Sequence, residues 1–251
     1  MLHASGPRRQ RAGLYIVVCM KRALLTGVGR EGQVGEAVAA RLASEGFELI
    51  LVDRTAENVR ARAKAIQDSG GVARAYACDL SDPEALNGLV KEVTVAGPHL
   101  DALIHMAGGF AASGPVADTQ IADWERQLTI NLRTAFLTAR STIPLLRKGG
   151  SIVFFSSESA LPGAKLAHIS AYAVSKHGVV ALALSIAQEE RPNGLRVNVI
   201  APAAIRTSTN VASMSPDASF VEREDVADIV AYLCSDRARA VTGQVIRLGP
   251  R

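Results

Sequence analysis

Thr26-Gly-Val-Gly-Arg-Glu-Gly-Gln-Val-Gly35 lies between a short apolar run, 23–26, and a stretch of helical periodicity, 34–42. Strand, glycine-rich turn and helix in that order decide the fold class. Glycines let the backbone turn sharply and approach a pyrophosphate, and the first helical turn offers amide donors at the positive end of its dipole. A flexible surface turn would explain the glycines alone; the flanking strand and helix favour the phosphate reading. The next apolar run, 48–52, stops at Asp53, eighteen residues past Gly35. A carboxylate there is placed to accept the adenosine ribose hydroxyls, and its charge repels a 2′-phosphate. NAD is therefore expected ahead of NADP, although Arg54 and Arg30 could each reach such a phosphate.

The alternation continues downstream. Apolar runs at 72–77, 100–106, 151–155, 195–200 and 244–248 read as strands, and 56–68, 119–147, 170–190 and 222–235 as helices. Ser81-Asp82-Pro83-Glu84 is a further helix start: a capping side chain, a proline at an early position and an acid in the first turn. The strands are β-branched and apolar on both faces, as a parallel sheet covered by helices requires. Repeated βα units imply right-handed crossovers and a doubly wound sheet. The expected fold is α/β: a single-domain, Rossmann-type parallel sheet of about seven strands with helices on both faces, spanning 20–251.

The 251 residues are 48% hydrophobic but only 4% aromatic, so Ala, Val, Leu and Ile must build the core. The net charge of +4 is concentrated in Arg8, Arg9 and Arg11; residues 20–251 carry 25 basic against 24 acidic side chains. A nearly neutral domain excludes a basic nucleic-acid face. Cys19, Cys78 and Cys234 are scattered, with no CxxC and no Cys/His cluster, so neither a metal site nor a disulfide framework is expected, and a reducing cytoplasm fits. No apolar run reaches the length of a membrane span, so no membrane partner is expected. The run 14–20 follows three arginines but lacks a small-residue cleavage site, and Lys21-Arg22 leads straight into a strand. Residues 1–19 read as a disordered extension, with Met20 as an alternative start.

Tyr172-Ala-Val-Ser-Lys176 places a phenol and an ammonium one turn apart on one face of the helix expected over 170–190. A free tyrosine titrates near 10. A nearby positive charge favours the phenolate and lowers that value, which would let the pair move a proton at neutral pH. The same spacing occurs in helices where the lysine is simply exposed beside a half-buried ring. The glycine turn, Asp53 and the pair Ser156-Ser157 upstream favour chemistry.

Taken together, Thr26-Gly27 with Gly32 and Gly35, Asp79-Leu80, Ala107-Gly108, Asn131-Leu132, Ser156-Ser157, Tyr172-x-x-x-Lys176, Ala201-Pro202 with Ile205 and Thr207, and Val241-Thr242-Gly243-Gln244 resemble the short-chain dehydrogenase/reductase family over 21–249. The resemblance implies an NAD(P)-dependent oxidoreductase moving a hydride between nicotinamide and a secondary alcohol or ketone. It implies a catalytic tetrad. Tyr172 would be the acid in reduction and the base in oxidation. Lys176 would lower the tyrosine pKa and hold the nicotinamide ribose. Ser157 would hydrogen-bond the substrate oxygen, and Asn131 would hold a water linking Lys176 to solvent. It also implies cofactor contacts from Gly27, Gly32, Val34, Gly35, Asp53, Asp79, Leu80, Ala107, Gly108, Ile205 and Thr207, besides Tyr172 and Lys176; Ile205 and Thr207 would meet the nicotinamide carboxamide. Plain structural roles compete: a strand-end cap for Ser157, a backbone-satisfying polar group for Asn131, a helix cap for Asp79.

The chain departs from the family pattern in four places. Its glycine loop reads GxxxxGxxG rather than GxxxGxG and is two residues longer. Met106 stands where Asn precedes Ala-Gly, and Ala203 where Gly follows Pro. The interval from Ser157 to Tyr172 is fifteen rather than thirteen; Ser159 fits the count, whereas Ser157 fits the Ser-Ser motif and is preferred. The substrate pocket is expected to draw on Phe110, Glu158, Pro162, His168, Ala203 and Met214, mainly apolar, under a short segment running from Thr207 to Phe220. Family likeness suggests that the helices at 119–147 and 170–190 pair about a two-fold axis, giving a homodimer or homotetramer. A non-catalytic dinucleotide sensor or scaffold is the competing class, but it would be expected to lose tetrad members. An enoyl reductase, with six residues between Tyr and Lys, is disfavoured by Tyr172-x-x-x-Lys176.

Overall fold

Seven strands, β1 (Arg22–Thr26), β2 (Glu48–Asp53), β3 (Val72–Ala77), β4 (Leu100–His105), β5 (Leu146–Phe155), β6 (Arg196–Pro202) and β7 (Val245–Leu248), form one parallel sheet in the order β3-β2-β1-β4-β5-β6-β7. The computed structural model describes residues 20–97 and 99–250, so the extension expected over 1–19 lies outside the described residues. The helices are α1 (Val34–Ser44), α2 (Ala56–Asp68), α3 (Pro83–Ala96), α4 (Ile121–Gln127), α5 (Thr134–Thr142), α6 (Ser170–Glu189), α7 (Ser208–Ser213) and α8 (Arg223–Cys234).

Strand side chains alternate between the faces, so each strand feeds two cores. Ala23, Leu25, Leu49 and Leu51 pack with Val38 and Leu42 of α1, Val59 and Ile66 of α2, and Val226 and Val230 of α8. Leu24, Ile50 and Val52 pack with Leu86 and Val93 of α3, Leu137 of α5, and Val179 and Ile186 of α6. Burying one such aliphatic side chain contributes about 1.5–3 kcal/mol. Both faces are thus covered, which is why the inner strands carry no polar alternation, while the edge strand β3 exposes Val72 and Arg74. The strand order reverses between β1 and β4, and the loops leaving the carboxyl ends of β1, β4, β5 and β6 surround the crevice there.

Three features differ from the sequence expectations. The region 119–147 is not one regular helix: a π-helical turn, Leu128–Arg133, joins α4 to α5, and a 3-10 turn, Ile143–Leu145, ends it. Strand β5 begins at Leu146 instead of 151, with a register shift against β4 between Leu100 and Ala102 that absorbs the extra residues. α6 is long and apolar enough to cross a membrane by length and composition, which corrects the expectation that no run reaches that length. It covers the sheet instead, burying Ala171, Val179, Ala183 and Ile186.

Candidate active site

The glycine stretch forms a cradle at the carboxyl end of β1. Gly27 has φ +73°, and a Cβ there would lie 2.8 Å from the Ala107 nitrogen. A Cβ on Gly35 would lie 2.6 Å from the Gly27 carbonyl oxygen, so only glycine lets α1 start this close to the strand. Gln33, the N-cap of α1, makes no side-chain cap hydrogen bond, and Val34 and Gly35 form the first turn. An uncapped helix N-terminus behind a glycine cradle fits a pyrophosphate. Gly29, which the family motif passes over, is equally constrained: its N–H donates to Asp53 Oδ2 at 2.9 Å, and a Cβ would meet Asp53 Cγ at 2.8 Å. The only sequence signal for Gly29 was its presence as an additional glycine in the stretch.

Asp53 also accepts the Thr55 N–H through Oδ1 at 3.2 Å. Two oxygens with one donor each leave lone pairs for ribose hydroxyls. Asp79 takes the Ser81 hydroxyl at 2.7 Å and the Ser81 N–H at 2.9 Å on one oxygen. Those bonds, with the hydroxyl foremost, hold its carboxyl below the usual range. It is not the helix cap: Asp82 caps α3 by accepting the Glu84 N–H. The Leu80 side chain is buried in the core. Ala107 and Met106 both donate N–H to Thr26 Oγ1 at 3.2 Å, stitching the end of β4 to β1.

The floor of the crevice is built from β4, β5, the π turn and α6. The Ser157 side chain lies near the Tyr172 phenol and favours its ionised form. Ser157 Oγ accepts the Ser159 N–H at 3.2 Å, so its expected cap role and its place beside the phenol coexist. Ser159 is buried with its hydroxyl unpartnered, and the structure brings Ser157, not Ser159, to the tyrosine. Lys176 is buried, and its Nζ donates to the Phe155 carbonyl oxygen at 3.0 Å, 5.9 Å from the Tyr172 ring centroid. The Asn131 side chain clamps the chain after β4: Oδ1 accepts the Gly109 N–H at 3.0 Å, and Nδ2 donates to the Gly109 carbonyl at 3.0 Å and to Gln127. A Cβ on Gly108 would lie 2.5 Å from Asn131 Oδ1 and 3.4 Å from Lys176 Nζ, so Gly108 lies between them.

Electrostatically the floor corrects one expectation. Burial pushes the Tyr172 phenol above its ordinary value, and the Ser157 side chain only partly offsets it. Lys176 does not lower it here, because its ammonium is turned to Phe155 and burial brings the lysine itself down to about 8. His105, at the end of β4, was not singled out by sequence. It is buried, and burial together with the Lys176 charge holds it neutral, down to about 3. Thr26 Oγ1 already accepts two N–H groups, so its own proton points at His105 Nδ1, 3.1 Å away.

Around the rim, Phe110 meets Tyr172 edge-on with centroids 5.0 Å apart, while most of its surface remains exposed. Leu166, Val211 and Met214 are further exposed apolar side chains on the loops after β5 and β6. Glu158 faces Arg247, 3.7 Å away. His168 has φ +66°, and its carbonyl accepts the Ser113 N–H at 2.8 Å, tying the loop after β4 to the start of α6. Ile205 bridges Val221, and Thr207 Oγ1 accepts the Asn210 N–H, capping α7. The sequence did not announce α7, which is a short polar helix.

The model of the family described as enoyl-(acyl carrier protein) reductase matches residues 27–248. Levodione reductase of Leifsonia aquatica is 30% identical over 89% of this chain and 90% of its own. (-)-trans-Carveol dehydrogenase of Rhodococcus erythropolis is 32% identical over 89% of this chain and 94% of its own. The chain belongs to the short-chain dehydrogenase/reductase family. A crystal structure of a family member, a dehydrogenase/reductase from Sinorhizobium meliloti 1021, superimposes with a TM-score of 0.83 at 31% identity, covering 91% of this chain and 93% of the other. As a short-chain dehydrogenase/reductase, the protein is an NAD(P)-dependent oxidoreductase of small-molecule alcohols and ketones.

Proposed function

We propose that the protein interconverts an apolar secondary alcohol and its ketone with NAD as the preferred cofactor, Tyr172 exchanging the proton. The observation that carries this reading is Lys176, buried on the crevice floor with its Nζ 5.9 Å from the Tyr172 ring centroid, beside a Ser157 side chain that favours the ionised phenol. When bound, the nicotinamide supplies or takes the hydride. Gly27, Val34 and Gly35 would hold the pyrophosphate, with Gly32 shaping the loop beside them because Glu36 and Ser208 take its backbone groups; Asp53 would hold the adenosine ribose, with Asp79, Leu80, Ala107 and Gly108 lining the path. Ile205 and Thr207 would hold the carboxamide end.

A phenol held above its ordinary pKa keeps its proton at neutral pH and is suited to donate it to a carbonyl oxygen. Ser157 polarises that oxygen. Lys176 needs only to exchange its bond to Phe155 for the nicotinamide ribose hydroxyls to bring its charge to the phenol and favour the reverse, oxidative direction. Asn131 and Lys176 flank Gly108, which supports a water-mediated proton route between them. The exposed apolar rim of Phe110, Leu166 and Met214 supports an apolar substrate, as do the levodione and trans-carveol in the names of the two relatives.

Two further parts of the reading concern setting. Phe136 on α5 and Val174 on α6 are exposed, which supports pairing of these helices in a homodimer or homotetramer; sedimentation equilibrium giving a monomer would remove that part. Cys78 and Cys234 are free and buried, which supports a reducing cytoplasm. The deciding experiment is a fluorescence titration with NADH and NADPH side by side, followed by turnover of a panel of cyclic alcohols and ketones. Tight NADH binding and oxidation of cyclic secondary alcohols are expected. Preference for NADPH would mean that Arg30 or Arg54 overrides Asp53.

A further inference from the structure

The lengthened glycine loop is held by a side chain outside the glycine motif. Glu36, in the first turn of α1, accepts the Gly32 N–H through Oε2 at 2.7 Å. Arg62 of α2 donates to its Oε1 at 2.7 Å, and Arg223, at the start of α8, reaches Oε2 at 3.3 Å. Burial pushes the Glu36 carboxyl up, but the Gly32 amide and the two guanidinium groups outweigh it and hold it below its ordinary value. The other side of the same loop touches α7. The Ser208 N–H donates to the Gly32 carbonyl at 2.9 Å, and Gln33 Nε2 donates to Ser208 Oγ at 2.8 Å and Thr209 Oγ1 at 3.0 Å. Gly32 has φ +70°, and a Cβ on it would lie 2.7 Å from Ser208 Oγ, so the approach is as close as a backbone allows. A cleft of about 290 Å³ between Gly32 and α7 is edged by Arg206, Val211 and Arg223.

We propose that Glu36 is a positioning residue of the cofactor site: clamped by Arg62 and Arg223, it folds the lengthened glycine loop against α7, so that the phosphate loop and the α7 segment are held as one unit. The proposal rests on the cofactor reading above. A carboxylate in the first turn would by itself repel a pyrophosphate at this helix end. Arg62 and Arg223 compensate the Glu36 charge, Arg223 also lying 3.6 Å from Glu224, so the shaping hydrogen bond to Gly32 is kept with the repulsion reduced. The two extra residues thus become a strut between loop and α7 instead of slack.

The test compares Glu36→Ala and Glu36→Gln with the unaltered protein by amide hydrogen exchange, NADH titration and steady-state kinetics. Glu36→Ala should speed exchange at Gly32 and across 208–213, and raise the NADH dissociation constant and cofactor KM about tenfold, with kcat within about twofold, as loss of one hydrogen bond to a charged group predicts. Glu36→Gln keeps an acceptor oxygen and should restore both the protection of Gly32 and most of the affinity. Unchanged exchange in α7, or a fall in kcat with cofactor KM intact, would overturn the proposal. If Glu36→Ala does not fold, Arg223→Met, which removes the clamp from its exposed side, is read in the same way. If the unaltered protein binds neither nucleotide, the cofactor reading fails at that point, while the exchange of α7 still decides whether Glu36 couples loop and segment.

Discussion

The floor and the rim of the crevice are built on opposite principles. On the floor, Asn131, His105 and Lys176 are almost wholly enclosed and are tied to backbone or neighbouring groups at the ends of β1, β4 and β5. At the rim, the glycine loop is held to α7 largely by exposed side chains, Gln33 with Ser208 and Thr209, and Asp53 reaches back to the loop at Gly29. A buried polar network has few alternative arrangements, because leaving any member unpaired is costly. An exposed one can exchange its partners for water or ligand at little cost. Proton chemistry therefore sits on an enclosed floor with few partners to exchange, and cofactor contact sits at a rim whose exposed bonds are exchangeable around the Glu36 clamp.

Four experiments probe that contrast, from the largest effect to the smallest. Tyr172→Phe should lower kcat/KM by about 10³-fold or more, since it removes the exchangeable proton, while NADH affinity changes by no more than a few-fold. Turnover above a tenth of the original would remove Tyr172 from the chemistry. His105 tests the rigidity of the floor through pH. Its folded value near 3 lies below the ordinary 6.5, so between those limits the unfolded chain binds a proton that the folded protein does not. Stability should then fall as pH falls through that window, by up to about 1.4 kcal/mol per pH unit, and His105→Asn should flatten the curve. Urea unfolding between pH 7 and 5 measures it; identical slopes for both proteins would show that the imidazole is charged or solvated.

The serine pair sharpens the floor further. Ser157→Ala should lower kcat/KM about 10²-fold, the size expected for one donor to a developing oxyanion. Ser159→Ala should leave it within about twofold, because its buried hydroxyl has no partner. The reverse order would reassign the site to the residue that fits the family interval. At the rim, Asp53→Ala should shift the ratio of NADPH to NADH affinity toward NADPH by about tenfold, one removed repulsion, with kcat little altered. An equal loss for both nucleotides would mean that Asp53 mainly shapes Gly29 and discriminates little.

Most of the fold was legible. The seven apolar runs became the seven strands, and helix limits such as 56–68 and the capped start at Pro83 followed from local signals that act within a few residues. The π turn was not legible, because one extra residue in a helical turn leaves the apolar period almost unchanged. α7 was missed because six residues, Ser208–Ser213, with Val211 the one large apolar side chain among them, carry no amphipathic signal and depend on the Thr207 cap. In the site, the positions of Tyr172, Lys176 and the glycines were readable from spacing. Glu36 was not, since a glutamate in a first helical turn reads as ordinary dipole complement.

The sequence by itself determined the order of the βα units, the acid at the end of the second strand, and the phenol and ammonium one turn apart on one helix. All of these rest on contacts between residues near in the chain. Only the tertiary structure decided that Ser157 and not Ser159 meets Tyr172, that burial raises the phenol while Lys176 turns to the Phe155 carbonyl, and that Arg62 and Arg223 converge on Glu36. The physical reason is the same in each case. Hydrogen bonds and desolvation depend on distances across elements far apart in sequence, and no local pattern encodes which of two neighbouring side chains will face the crevice.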